Sequence, residues 1–265
     1  MLKPRRFTLA VLLLAVIGAA VCVFVVAATR ARGKREVSAT SMAQTRATQK
    51  LRNVSLQPEA RKLGLLLGSR FLPASRSTVT TIGTLTIGTN SERITIARRQ
   101  TANGEAVEIL SGSRALSWND VDGRSATVGV PTPDEDVLLE RLVFDGPEQF
   151  VLAQLRGASY YTIARNVRPE DAGSDYNGPL WTIVRVNESQ QNEKLRPVSV
   201  WRLYYINTGT GLIDRVVTEI NGQTVEATIL SWNMQNGQRI PGHITWSVGG
   251  RVVMDYYVTN LSYSE

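Results

Sequence analysis

The fold is decided by residues 199–263, which read SVWRLYYINTGTGLIDRVVTEINGQTVEATILSWNMQNGQRIPGHITWSVGGRVVMDYYVTNLSY. β-Branched and aromatic residues fill this stretch, and turn dipeptides interrupt it at Asn221-Gly222, Asn236-Gly237 and Gly249-Gly250. Asn-Gly and Gly-Gly supply the positive φ angles that short hairpin turns require. The stretch therefore predicts an antiparallel meander.

The apolar residues of the meander predict its register, because a one-residue slip would turn every side chain to the other face. A two-residue turn at the first Asn-Gly places Val216 opposite Ala227. A two-residue turn at the second places Ile229 opposite Ile244. One face of the sheet is then apolar, and its predicted members are Val216, Val225, Ala227, Ile229, Ile240, Ile244, Trp246, Val248, Val252, Met254, Tyr256 and Val258.

The Gly249-Gly250 turn needs a different length on the same reasoning. A two-residue turn there would place Arg251 and Asp255 on the apolar face. A three-residue loop over residues 249–251 instead pairs Val248 with Val252, and Trp246 with Met254. We therefore predict a bulged three-residue hairpin at this position.

The chain before the meander contains further strands and one helical interruption. Five strand patterns lie between residues 79 and 128, and three more lie between residues 160 and 206. Between the two groups, prolines break the strand pattern and three consecutive acids, residues 134–136, favour the start of a helix. Residues 134–155 therefore predict a pair of short helices, separated by Gly146-Pro147. Residues 168–178 are typical of a surface loop.

An amphipathic helix is predicted ahead of the first strand, over residues 57–72. Pro58 suits its first turn, and its apolar residues recur at helical spacing, namely Ala60, Leu63, Leu67 and Phe71. This stripe is expected to pack on the sheet. The alternative is a movable lid over a cavity between helix and sheet.

The N-terminal segment predicts a membrane anchor. Residues 8–28 carry no charge, and this run is longer than the usual core of a signal peptide and long enough to span a bilayer as a helix. The predicted organisation is a transmembrane anchor or signal segment over residues 1–29, a polar tether over 30–55 and a β domain over 56–265. The domain is expected on the extracytoplasmic side, either anchored or secreted after cleavage near Ala28.

The charges and the rare residues exclude several classes of function. Residues 1–76 carry 14 Lys or Arg and two acids, so the basic character belongs to the N-terminal arm and the later residues are net acidic. This distribution argues against nucleic-acid binding and favours a membrane surface. Cys22 is the only cysteine and His243 the only histidine. With no phosphate-binding loop or nucleophile elbow either, we predict no catalytic residue, metal site or cofactor, and hence no enzyme.

Two steps in the meander suggest a family. A strand ending at Tyr205 leads through a turn to Gly211-Leu212, and Gly237 precedes the step Arg239-Ile240-Pro241. This order resembles bacterial extracytoplasmic proteins with the fold of the outer-membrane lipoprotein carriers (the LolA/LolB-like fold). The resemblance implies an α+β fold, mostly antiparallel: a curved, unclosed, barrel-like sheet with helices across its concave face.

The resemblance also implies a function. In that family the space between helices and sheet takes up acyl chains, so we expect a membrane-tethered domain that binds a lipid, a lipoprotein acyl chain or another apolar ligand. The candidate ligand-binding residues are Leu63, Leu67, Phe71, Ile229, Ile244, Trp246, Met254 and Tyr256. The alternative is a non-enzymatic interaction or envelope-regulatory module with a filled core, which would bind an envelope protein through the 168–178 loop, the helical pair and exposed aromatic residues.

Overall fold

The computed structural model describes residues 56–68, 78–101, 104–112, 114–119, 123–128, 133–169, 172–173, 175–191, 197–220, 222–235 and 237–264. These residues lie in one compact unit, Gln44–Glu265. The predicted membrane segment (8–28), the tether (30–55) and Phe71 lie outside the described residues. Within the described ranges, no helix is long and apolar enough to cross a membrane.

Three helices and twelve strands make up the described part of the chain. The helices are α1 (Pro58–Leu67), α2 (Pro133–Phe144) and α3 (Glu148–Leu155). The strands before the helical pair are β1 (Thr78–Ile87), β2 (Asn90–Thr101), β3 (Gly104–Ser111), β4 (Arg114–Asn119) and β5 (Gly123–Val128). The strands after it are β6 (Ser159–Val167), β7 (Trp181–Gln191), β8 (Pro197–Asn207), β9 (Ile213–Ile220), β10 (Gln223–Gln235), β11 (Gln238–Val248) and β12 (Arg251–Ser264).

All twelve strands form one unclosed, curved antiparallel sheet, as predicted. Their order is β5-β4-β3-β2-β1-β12-β11-β10-β9-β8-β7-β6, so the first and last strands in sequence are neighbours in the middle of the sheet. The sheet edges are β5 and β6, which are the strands that flank the helical pair. Helices α2 and α3 therefore form the connection from one edge of the sheet to the other.

This connection explains why the sheet must curve. Strands lie about 4.8 Å apart, so twelve strands laid flat would separate the two edges by roughly 50 Å. At 1.5 Å per residue, α2 and α3 rise only about 18 Å and 12 Å. A curved sheet brings its edges within reach of the helical pair and wraps one face, here called the inner face, around it.

The predicted register holds at both Asn-Gly turns. Val216 faces Ala227 across β9 and β10, and Ile229 faces Ile244 across β10 and β11. The inner face and the helices share one hydrophobic core. Trp246 and Met254, paired as predicted, are each 1% exposed.

The predicted bulged loop at Gly249 is wrong. Val248 faces Arg251, so the turn has two residues, and Gly249 and Gly250 have φ angles of 58° and 81°. The irregularity lies further along, because Trp246 faces Met254 while Ser247 faces Val252 and leaves Val253 as an extra residue. This bulge restores the inward register of β12 after the turn. Val252, which was predicted to face inward, is 59% exposed.

Helix α1 is shorter than predicted. It ends at Leu67 rather than near Pro73, because Gly68 takes a φ of 80° and its N–H donates to the carbonyl of Gly64. Pro58 lies in the first turn, as expected, with the acidic Glu59 beside it. The two predicted helices of the later pair are both present, and Gly146-Pro147 separates them.

Candidate ligand-binding cavity

The floor of the candidate site is formed by alternate residues of β11 and β12. Ile244 faces Tyr256 across these strands, and both are buried with Trp246. The Tyr256 hydroxyl donates to Oγ1 of Thr81, 2.8 Å away. Gly83 permits this packing, since a Cβ there would lie 2.6 Å from the Tyr256 ring and 2.4 Å from the Tyr257 carbonyl. The result is a buried apolar floor whose one hydroxyl is hydrogen-bonded.

The main cavity lies between this floor and the turn that joins α2 to α3. Its volume is about 50 Å³, measured as the space that the centre of a water molecule can reach. Strands β1, β2, β11 and β12 form most of its wall, and the helical side is closed by residues 142 and 146–148. The lining residues are Val79, Thr81, Ile96, Arg98, Leu142, Gly146, Pro147, Glu148, Ile240, Pro241, Ile244, Trp246, Tyr256 and Val258.

The predicted binding residues divide into two groups. Ile244, Trp246 and Tyr256 line the cavity. The others that the structure describes belong to the same core without lining it, namely Leu63, Leu67, Ile229 and Met254. Helix α1 was expected to pack on the sheet, with a movable lid over a cavity as the alternative. Leu63 and Leu67 are fully buried, and α1 packs against α3 and β11.

A second, smaller cavity lies on the other side of α2. Its volume is about 20 Å³ on the same measure. Helix α2 contributes residues 139, 140, 143 and 144, and strands β3 and β4 contribute the rest, namely Val107, Ile109, Leu116, Ser117 and Trp118. The rings of Trp118 and Phe144 meet edge to face with centroids 5.2 Å apart. The two cavities have no lining residue in common.

Charged side chains beneath the helical pair were not predicted. Glu188 on β7 is 7% exposed and lies between two arginines: Arg156 Nη2 is 2.6 Å from its Oε1, and Arg202 Nη1 is 3.3 Å from its Oε2. Asp145, in the turn between α2 and α3, accepts a hydrogen bond from the Trp246 indole at 3.2 Å. The nearest Arg202 nitrogen is 3.9 Å from Asp145. Strands β7, β8 and β11 are thereby tied to the helical pair.

A second set of contacts connects the other half of the sheet to the helical pair. Glu105 on β3 is 2% exposed and accepts from Gln149 on α3 at 2.8 Å and from Arg98 on β2 at 3.3 Å. The Arg98 guanidinium also donates to the carbonyl of Leu142. Arg156 donates to Gln149 at 3.0 Å. Paired charges therefore run beneath α2 and α3 from one side of the sheet to the other.

Strand alternation is the sequence pattern that could have revealed these charges. Glu188 falls in step with Val184 and Val186, which are buried on the inner face. Arg202 falls in step with Tyr204 and Ile206 in the same way. The alternation of side chains along each strand therefore predicts that both charged side chains point to the inner face. The general expectation that charged residues face water predicts the opposite, and it hid the pattern.

Two tyrosines, the half-buried Tyr160 and the fully buried Tyr204, lie against this network. The Tyr160 hydroxyl donates to the carbonyl of Phe150, whereas the Tyr204 hydroxyl forms no hydrogen bond with the residues that the structure describes. Burial raises the pKa of both hydroxyls above the ordinary value. Nearby Tyr204 and Glu188 raise the pKa of Tyr160 further, and Glu188 and Asp145 do the same for Tyr204. Both side chains therefore stay neutral at physiological pH.

The remaining candidate for chemistry, His243, lies on the outer face of the sheet. Its Nε2 is 2.8 Å from Oδ1 of Asp255, and its ring meets that of Tyr257, which is 54% exposed. The described residues contain no group of three or more His, Cys, Asp or Glu side chains that could hold a metal ion. The described site is thus an apolar cavity beside paired charges.

Comparisons with known proteins support the fold. Protein-family models and curated proteins give no match. Among solved structures, an outer membrane lipoprotein-sorting protein domain from Vibrio parahaemolyticus aligns with a TM-score of 0.50 and 7% identity, over 72% of this chain and 87% of that one. A DUF1329 family protein from Desulfovibrio piger aligns at 0.47 and 8%, over 72% and 87%. A LolA superfamily protein from Nitrosomonas europaea aligns at 0.39 and 9%, over 80% and 92%.

The Vibrio structure shows that this chain has the fold of a lipoprotein-sorting domain. The resemblance drawn from the meander is therefore confirmed for the fold.

Proposed function

We propose that this protein is a non-enzymatic, membrane-tethered extracytoplasmic domain that binds the acyl part of a lipid or lipoprotein on its inner face. The observation that carries the proposal is the apolar cavity at Ile244, Trp246 and Tyr256. It lies on the helix-covered face of a fold shared with a lipoprotein-sorting domain. The predicted anchor over residues 8–28 would hold the domain beside its ligand's membrane.

The size of the cavity adds a mechanical requirement. About 50 Å³ is room for only a few water molecules, far less than an acyl chain fills. A bound chain must therefore displace the residues that close the helical side, Gly146 and Pro147 among them. Binding accordingly requires the turn between α2 and α3 to move away from the floor.

A titration of the full chain with a fluorescent fatty acid tests the proposal. Trp246→Arg places a charge in the cavity wall and should abolish the component of uptake that the cavity supplies. Tyr257→Arg introduces the same charge at an exposed residue of the outer face and should leave uptake unchanged. Equal uptake by both variants, with folding verified by circular dichroism, would contradict the proposal. Ile240→Trp fills the cavity without adding a charge and should also reduce uptake of the fluorescent fatty acid.

A second candidate function is supported by a separate observation. Tyr161 and Ile163 are 53% and 58% exposed on the edge strand β6, and exposed apolar residues on a sheet edge are typical of partner surfaces. Under this hypothesis the protein is an envelope interaction module. Ile163→Lys would then release a partner recovered by crosslinking in envelope preparations, whereas Trp246→Arg would not. The opposite pattern would favour the cavity.

A further inference from the structure

The two cavities are separated by one helix. Leu142 of α2 lines the main cavity, and Leu139 and Val143 line the smaller one. At 100° per residue, Glu140 and Phe144, which also line the smaller cavity, lie about 160° around the helix from Leu142. Both cavities thus adjoin the same stretch of α2, one on each flank.

The sheet beneath α2 is continuous across this division. Ile96 on β2 faces Ile109 on β3 directly, yet Ile96 lines the main cavity and Ile109 the smaller one. No bend or break in the strand pairing lies between them. Helix α2, with Arg98 of β2 donating to its Leu142 carbonyl, lies between the two compartments, and most residues that line them are apolar.

From this arrangement we infer that the ligand is a lipid with two acyl chains, which places one chain on each flank of α2. This inference rests on the proposed function. A helix with its side chains is about 10–12 Å across, so compartments on its two flanks are within reach of chains that leave a single headgroup. A single-chain fatty acid fills only the main compartment.

The experiment compares two probes on the full chain. One is a phosphatidylcholine with a photoactivatable diazirine at the end of one acyl chain, and the other is palmitic acid with the same group. Mass spectrometry of the crosslinked peptides locates each chain end. The two-chain probe should label both β3–β4 and β11–β12, and the palmitic acid probe should label β11–β12 and the other walls of the main cavity but not β3–β4.

A filling variant separates the compartments. Ile109→Trp fills the smaller cavity and should weaken binding of the two-chain probe about tenfold or more, the loss expected when two or more methylene groups stay in water. It should leave binding of palmitic acid unchanged. Leu110→Trp, on the opposite face of the same strand and 52% exposed, is the matched control and should affect neither probe.

Several results overturn the inference. The first is that the two-chain probe labels one compartment only, and the second is that palmitic acid labels both compartments. The third is that Ile109→Trp leaves binding of the two-chain probe unchanged, or weakens binding of both probes equally. If Ile109→Trp does not fold, Leu116→Phe replaces it, and the labelling of the unaltered protein decides independently. Failure of palmitic acid to label β11–β12 at all would instead contradict the proposed function, and the inference with it.

Discussion

Glu188 is the residue on which the buried charges converge. Its carboxylate contacts Arg156 at 2.6 Å and Arg202 at 3.3 Å, and Arg202 is only 2% exposed. A buried ion pair adds little net stability over an apolar pair, but removal of one partner leaves a buried charge uncompensated. We therefore expect these contacts to fix where the helical pair lies on the sheet rather than to add net stability.

Glu188→Gln should lower the free energy of unfolding by about 3 kcal/mol, because the buried Arg202 guanidinium loses its nearest counter-charge and the partly exposed Arg156 loses its ion pair. Urea denaturation at neutral pH measures this change. Glu226→Gln is the matched control: Glu226 contacts Arg215 at 2.6 Å on the outer face, where both side chains are about a third or a quarter exposed. Its cost should stay within about 1 kcal/mol. Equal costs would show that the inner network is no more demanding than a surface pair.

Tyr160 and Tyr204 should respond differently to loss of their hydroxyls. Tyr204→Phe removes a buried hydroxyl that has no hydrogen bond to the described part of the chain and should leave stability at pH 7 unchanged or raise it. Tyr160→Phe removes the bond to the Phe150 carbonyl and should cost about 1 kcal/mol. Thermal and urea unfolding measure both. A loss at Tyr204 equal to that at Tyr160 would mean that Tyr204 has a polar partner in solution.

The raised pKa values of these tyrosines predict a loss of stability in alkali. Unfolded tyrosine ionises near pH 10, whereas burial raises the pKa of Tyr160 and Tyr204 in the folded protein. The unfolded state therefore releases protons first, and the free energy of unfolding falls as pH rises above about 10. In Tyr204→Phe this fall should be shallower, as measured by urea unfolding between pH 8 and 11. An unchanged slope would contradict burial of the neutral hydroxyl.

At the scale of elements, substitutions in the β11–β12 hairpin test the two-residue turn at Gly249-Gly250. Gly249 and Gly250 both have positive φ angles, as a two-residue type I′ turn requires. Gly249→Asn should be tolerated, since Asn-Gly suits this turn. Gly250→Val should destabilise by about 1 kcal/mol or more, because a β-branched residue resists positive φ. Denaturant unfolding of the two variants checks this, and equal stabilities would argue against the turn.

Turn dipeptides and alternation predicted most of the meander. The pairs Val216 with Ala227 and Trp246 with Met254 followed from turn length and apolar content alone. The bulge at Val253 did not, because a bulge three residues beyond a short turn gives the same inward face at Met254 and Tyr256 as a longer turn does. The inward charges were missed for a related reason. Glu188 and Arg202 contact each other across β7 and β8, and their other partners, Arg156 and Asp145, follow the ends of α3 and α2. The pattern of one strand could not show that these charges are paired.

At the scale of the whole molecule, the helical pair controls the inner face. It joins the two edges of the sheet and closes the cavity at Gly146 and Pro147. It also carries Asp145, to which the cavity residue Trp246 donates. A ligand that enters beside Trp246 therefore meets the turn that must move. The fold class was predictable from sequence, but the position of the cavity was not, because it depends on where α2 and α3 cross the sheet.

The predicted anchor makes a prediction for the full chain. If residues 8–28 span a membrane, the protein should remain in the membrane fraction after alkaline carbonate extraction at its full-length mass. Deletion of residues 8–28 should release it. A shortened protein that begins after Ala28 and stays soluble would instead support cleavage and secretion.

The most direct test of the central claim is a crosslinking map of diazirine-labelled palmitic acid on the full chain. The proposed function predicts labelled peptides from β1, β2, β11, β12 and the turn between α2 and α3, and loss of this labelling in Trp246→Arg but not in Tyr257→Arg. Labelling confined to residues 1–55 or to the outer face of the sheet would contradict it.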